Sequence, residues 1–173
     1  MIDKFFSVLA QFDNKTQEKL NGYYDILRQN GFVGNQTKNI PYHFTLGKMD
    51  VDCEEQLIGK LNAIHINTDC IDIHFSHIGL FGLNVLFIAP NMNHELLTLQ
   101  QNLFPHCGNG AYTWTAHTTL LIEEPENILK ALPIVAKNFK PFTARIEHIG
   151  LYEFFPMHLV KEFALNEKQY RHA

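Results

Sequence analysis

His43-Phe44-Thr45-Leu46 and His117-Thr118-Thr119-Leu120 are two copies of one pattern, H-x-T-L, set 74 residues apart. Behind each copy comes a second shared string. His77-Ile78-Gly79-Leu80-Phe81 and His148-Ile149-Gly150-Leu151-Tyr152 are offset by 71 residues, so a three-residue gap reconciles the two spacings. Each unit reads as motif strand, helix, H-I-G-L-aromatic strand and final strand. A short chain carrying two such units is constrained to fold as two similar lobes about a pseudo-twofold axis. That axis sets the two motifs opposite each other.

Each motif lies in a β-favouring run, Ile40–Leu46 and Trp114–Ile122. Side chains alternate faces along a strand, so each His and the Thr two residues on point the same way. The Leu points into a core. Two such strands across a cleft present two imidazoles and two hydroxyls to one small anion. With ten histidines in the chain, average usage gives a single H-x-T-L in about one chain in twenty. Two copies are expected in roughly one in a thousand. The β-propensity of Thr explains its presence in a strand, but not the repeated two-residue offset.

A length of 173 residues suits one domain, residues 1–173, with a full core and no linker. Net charge is −4 with 14 Lys and Arg in all, and no basic stripe appears. Grip on long nucleic acid through many phosphate contacts is not expected. A nucleotide or short RNA end, which needs only a few donors, stays open. Three cysteines without C-x-x-C spacing argue against a disulfide framework and a cysteine zinc site. No H-E-x-x-H or comparable spacing marks a metal site. Neither a metal nor another cofactor is expected, and nothing marks an obligate protein partner. The expected compartment is a reducing cytoplasm. The apolar start reads as strand one rather than a signal peptide, and no apolar run reaches membrane-spanning length.

The pattern along the chain predicts a strand over Phe5–Phe12, a cap at Asp13 or Asn14, and a helix from Lys15 to Gln29 closed by Gly31. After the first motif come a helix over Glu54–Ile64, a strand over Cys70–Phe81, a turn at Gly82-Leu83-Asn84 and a strand over Val85–Ala89. Asn91 or Asn93 caps a helix to about Phe104, with Leu96, Leu97, Leu99 and Leu103 on its buried face. A glycine-rich loop over His106–Gly110 leads to the second motif. A helix over Glu126–Asn138 is expected to kink or break at Pro133. Strands over Phe142–Tyr152 and Met157–Leu165 finish the chain. Mixed helices and strands joined by hairpins favour an α+β fold with largely antiparallel sheets over a doubly wound parallel one.

The doubled H-x-T-L, the repeat and the chain length together resemble the two-histidine (2H) phosphoesterase superfamily, which includes 2'-5' RNA ligase-like proteins and cyclic phosphodiesterases. The resemblance covers nearly the whole chain. It implies a bilobal α+β fold with the motifs lining a central cleft and helices outside. It also implies metal-independent opening of 2',3'-cyclic or related phosphodiesters, or reversible 2'-5' joining of RNA ends. The family's catalytic histidines correspond to His43 and His117, and its phosphate-contacting hydroxyls to Thr45 and Thr119. In many relatives a basic residue follows the second motif; here Leu121-Ile122-Glu123-Glu124 follows. The first motif continues as Gly47-Lys48-Met49-Asp50 in place of an apolar stretch.

Phosphodiester cleavage needs a base, an acid and donors to the phosphoryl oxygens. Histidine, with an ordinary pKa of about 6.5, supplies the first two near neutrality. Further candidate substrate contacts are Thr115, on the face of His117, and Phe81, Tyr152 and Arg145. Packing is the commoner role for such aromatic residues and an ion pair for such an arginine. Strand parity assigns His77 and His148 to the core, with Ile73, Phe75 and Ile146. A binding module that recognises a nucleotide or RNA end without turnover is the alternative. Retention of both His and both Thr favours the enzyme.

Overall fold

The computed structural model describes residues 4–50, 52, 54–105 and 114–167. These form β1 (Phe5–Phe12), α1 (Asn14–Gln29), β2 (His43–Asp50), α2 (Glu54–His65), β3 (Ile71–Phe81), β4 (Val85–Asn91), α3 (His94–Leu103), β5 (Thr118–Ile122), α4 (Pro125–Asn138), β6 (Phe142–Phe154) and β7 (His158–Ala164). The expected loop over His106–Gly110 lies outside the described residues.

Local chemistry sets the helix ends. The Asp13 carboxylate accepts from the backbone N–H of Thr16 at 2.7 Å, and the Asn93 amide oxygen accepts from Leu96 at 2.8 Å. Gly31, at φ +88°, ends the first helix in the left-handed region. Thr16, Leu20, Tyr23 and Leu27 form the buried stripe of α1. In α3 the buried face takes Gln100 beside Leu96, Leu99 and Leu103, while Leu97 is only half-buried. Pro133 does not break α4, which is continuous from Pro125 to Asn138. Proline removes its own N–H and clashes with the carbonyl four residues back. That residue, Leu129, is exposed, so the strain falls on the solvent side.

The strands form one seven-stranded sheet in the order β2-β1-β6-β3-β4-β5, with β7 also on β6. Every ladder is antiparallel; the sole parallel element among the described residues is a bridge between Asp69 and Asn166. β6 and β3 pair only over Ile71–Phe75 and Phe142–Ile146. Beyond that, β6 runs between β1 and β7, while β3 runs along β4. The 71-residue offset makes Ile73 and Ala144 equivalent, and they are paired with each other. The pseudo-twofold axis therefore passes through that pair.

The pairing redraws the repeat. Thr45 pairs with Leu9, which pairs with Gly150; Thr119 pairs with Phe87, which pairs with Gly79. β1 thus matches β4, and each lobe borrows its third strand from the other unit: β2-β1-β6 and β5-β4-β3. β4 is not the counterpart of β7, as the unit read from sequence had it. The helices cross over as well, α1 packing on α4 and reaching β5, and α3 packing on α2 and reaching β2. One buried hydrophobic cluster runs through both halves.

Paired β-bulges break the two-residue alternation. Register shifts leave Leu46 and Leu120 as the extra residues of β2 and β5, at equivalent points of the two motifs. Both leucines are buried, each adding about 1.5–3 kcal/mol by burial. The carbonyl of Leu46 accepts from the buried Gln100 amide at 3.3 Å, which is why α3 tolerates an internal glutamine. Shifts at Ser76 and Glu147 do the same in β3 and β6. They correct the assignment of His77 and His148 to the core. One extra residue turns both side chains to the opposite face, so His77 is exposed and His148 half-buried.

Candidate active site

The two motif histidines are held alike. His43 Nδ1 lies 2.7 Å from the Pro41 carbonyl oxygen, and His117 Nδ1 lies 2.8 Å from that of Thr115. A carbonyl only accepts, so each neutral ring carries its proton on Nδ1 and leaves Nε2 as the free lone pair. Gln17 of α1 fixes the approach to His43 by pairing with both the N–H and the C=O of Tyr42, each at 2.8 Å. The second motif differs from the sequence expectation, because β5 begins at Thr118 and His117 precedes it. The segment before it is tied instead by Trp114, whose indole N–H donates to the Thr45 carbonyl at 2.8 Å. Trp114 joins the two motifs directly. Its role was invisible in sequence, where it reads only as a strand aromatic.

His43, Thr45 and Thr119 line one cavity of about 890 Å³, together with Leu9, Ser7, Lys48, Ile40, Tyr42 and Phe154. That volume lies in the upper range for small-molecule sites. His117 is not among the residues lining that cavity, whose members from the second motif strand are Thr118, Thr119, Leu120 and Ile122; its ring packs against two others. Phe81 meets it edge-on at 4.6 Å and Phe87 at 5.2 Å. The glycines of the two H-I-G-L strings make this packing feasible. A Cβ on Gly79 would lie 2.3 Å from the Phe87 ring, and one on Gly150 would lie 2.6 Å from the Tyr152 ring.

The other sequence candidates divide. Phe81 is exposed and touches the His117 imidazole. Tyr152 is buried, accepts from the Gln11 amide at 2.7 Å and packs with Leu9 and Phe154, which line the cavity. Thr115 is exposed, and its carbonyl rather than its hydroxyl holds His117. Arg145 donates to Asp72 at 2.8 Å beside the pseudo-twofold axis and reaches Glu167 at 3.7 Å. It is not among the residues lining the cavity.

Burial makes the two histidines unequal. It pushes the His43 imidazole down to about 4; the Pro41 carbonyl opposes this and positive charge on His117 assists it. His117 is also lowered by burial, against its Thr115 carbonyl bond. The walls are unequal too. Across β2-β1-β6 run the rows His43–Gln11–His148 and Lys48–Ser7–Tyr152. The equivalent strands of the other lobe supply Ala89–His77 and Ile122–Val85–Phe81. The first rows are polar throughout, whereas the second set a single histidine, His77, among apolar and aromatic residues. Among the described residues no group of three or more His, Cys, Asp or Glu is placed to hold a metal ion, and no helix is long and apolar enough to cross a membrane.

Sequence comparison matches the chain to no family profile and to no curated protein. Solved structures do match its fold. Escherichia coli LigT in complex with ATP has a TM-score of 0.66 at 16% identity, over 95% of this chain and 98% of that one. TT0787 of Thermus thermophilus has a TM-score of 0.68 at 12% identity, over 95% and 100%. A protein described as a phosphoesterase gives 0.66 at 15%, over 95% and 99%. At these identities the likeness is one of fold, and it is the α+β fold that the doubled motif implied.

Proposed function

We propose that this protein is a two-histidine phosphoesterase that opens 2',3'-cyclic or related cyclic phosphodiesters of nucleotides or RNA ends. The reading is supported by two pseudo-symmetric motifs: His43, Thr45 and Thr119 line one cavity, and His117 is held as His43 is, by Nδ1 against the carbonyl two residues back, leaving each Nε2 free of that bond. His43, neutral because it is buried, takes a proton from water through Nε2. His117, in its protonated form, gives its Nε2 proton to the departing 2' or 3' oxygen. Thr45 and Thr119 donate to the non-bridging oxygens, where charge builds in the transition state. With a terminal 5' hydroxyl in place of water, the same ring opening joins the 5' oxygen to phosphorus as the 3' oxygen leaves with a proton, and a 2'-5' linkage forms. Base, acid and anion donors all come from side chains, so no step is routed through a metal. LigT structures with ATP, NADP+, 3'-AMP and phosphate bound support a nucleotide ligand for this fold.

The test is hydrolysis of nucleoside 2',3'-cyclic monophosphates in EDTA by wild type, His43→Ala and His117→Ala. Each variant is expected to lose about 10²–10⁴-fold in kcat. Turnover that survives either change undiminished refutes the mechanism. Tight binding of 3'-nucleotides without wild-type turnover makes the cleft a binding site instead.

A further inference from the structure

Strand alternation alone puts Lys48 on the opposite face from Thr45, three residues away. The Leu46 bulge reverses this. Lys48 pairs with Ser7, and Thr45 pairs with Leu9 two residues along the same strand. Lys48 therefore shares the cleft face with His43 and Thr45 and lines the cavity with Ser7. The Ser7–Leu9 step sets Lys48 about 7 Å farther along the sheet than Thr45. Its ammonium leans farther still, 4.8 Å from the centre of the Phe5 ring. It thus stands about one ribose unit beyond the site of the reacting phosphate. Among the described residues it has no carboxylate partner. Arg28, which also lines the cavity, is paired with Asp25 at 3.3 Å.

The pseudo-twofold axis sharpens the point. The equivalent of Lys48 in the second lobe is Ile122, and the equivalent of Ser7 is Val85. Lys48 thus stands opposite the apolar pair Ile122 and Val85; Lys38 also lines the cavity and has no carboxylate partner among the described residues.

We propose that Lys48, with the Ser7 hydroxyl beside it, binds a second anionic group of the substrate, a phosphate on the 5' side of the nucleoside whose 2',3' phosphate sits between the motifs. This rests on the two-histidine reading and narrows its substrates to those carrying a further phosphate. The probes are adenosine 3',5'-bisphosphate and 3'-AMP, titrated calorimetrically at fixed ionic strength into wild type, Lys48→Met and Lys48→Arg. Wild type is expected to bind the bisphosphate about tenfold more tightly, as one charge-assisted contact predicts. Lys48→Met should cut that preference below twofold, and Lys48→Arg should restore most of it. Equal affinities in wild type, a preference that persists in Lys48→Met, or no binding of either ligand overturns the proposal. Lys48 is exposed, so the substitutions leave the core intact. Lost preference beside intact cyclic phosphate turnover removes the Lys48 site alone. Intact preference without turnover removes the catalytic reading and leaves the anion site.

Discussion

The depressed pKa of His43 ties the stability of the whole chain to pH. An unfolded histidine titrates near 6.5, whereas burial holds the folded His43 to about 4. Between these values the unfolded chain binds more protons than the folded one. The contribution of neutral His43 is therefore complete above pH 6.5, declines as pH falls, and is gone below about 4. The full interval, at about 1.36 kcal/mol per pH unit, is worth about 3 kcal/mol, of which about 2.5 is lost by pH 4.5. His43 is partly open to the cavity, so water screening places the measured value at or below that figure. The assay is urea unfolding of wild type and His43→Gln from pH 7.5 to 4.5 at constant ionic strength. The difference between the two proteins removes the other histidines. Wild type should lose about 2 kcal/mol more than the variant across this range, and the His43 ring signals in NMR should stay flat through pH 6. Parallel stability curves, or a His43 titration near 6.5, would refute the burial argument.

Two further outcomes follow from the same geometry. The pH profile of kcat/KM, which reports the free enzyme, should be bell-shaped with its optimum below 6.5, because both histidines are lowered; its acid limb should fall near 4. Gly79→Ala places a methyl against the Phe87 ring, whose displacement also disturbs His117. It should cost about 1–3 kcal/mol in urea unfolding and lower kcat on cyclic phosphates, whereas Gly59→Ala, inside α2 with open space around its Cβ, should instead stabilise by about 0.5–1 kcal/mol.

The sequence determined the parts of this protein that depend on neighbours in the chain. Asp13, Asn93 and Gly31 end their helices through contacts within four residues or through one backbone angle. β1 reads correctly as a strand because Phe5–Phe12 is a short, largely apolar run, and the structure buries all of it but Phe5. His43 and Thr45 fall on one face because the extra residue comes only at Leu46. The repeated strings revealed the duplication, and with it the opposition of the two motifs.

Tertiary structure decided what one inserted residue can reverse. A bulge is defined by the strand across from it, and a period of two cannot record it. The bulges at Ser76 and Glu147 turned His77 and His148 away from the core to which parity assigns them, and the bulge at Leu46 brought Lys48 into the cleft. The exchange of third strands, the Trp114 bond to the Thr45 carbonyl and the deeper burial of His43 all arise between segments far apart in the chain. Desolvation depends on what packs around a group rather than on its sequence neighbours, so two histidines in matching motifs become chemically different only once the chain has folded.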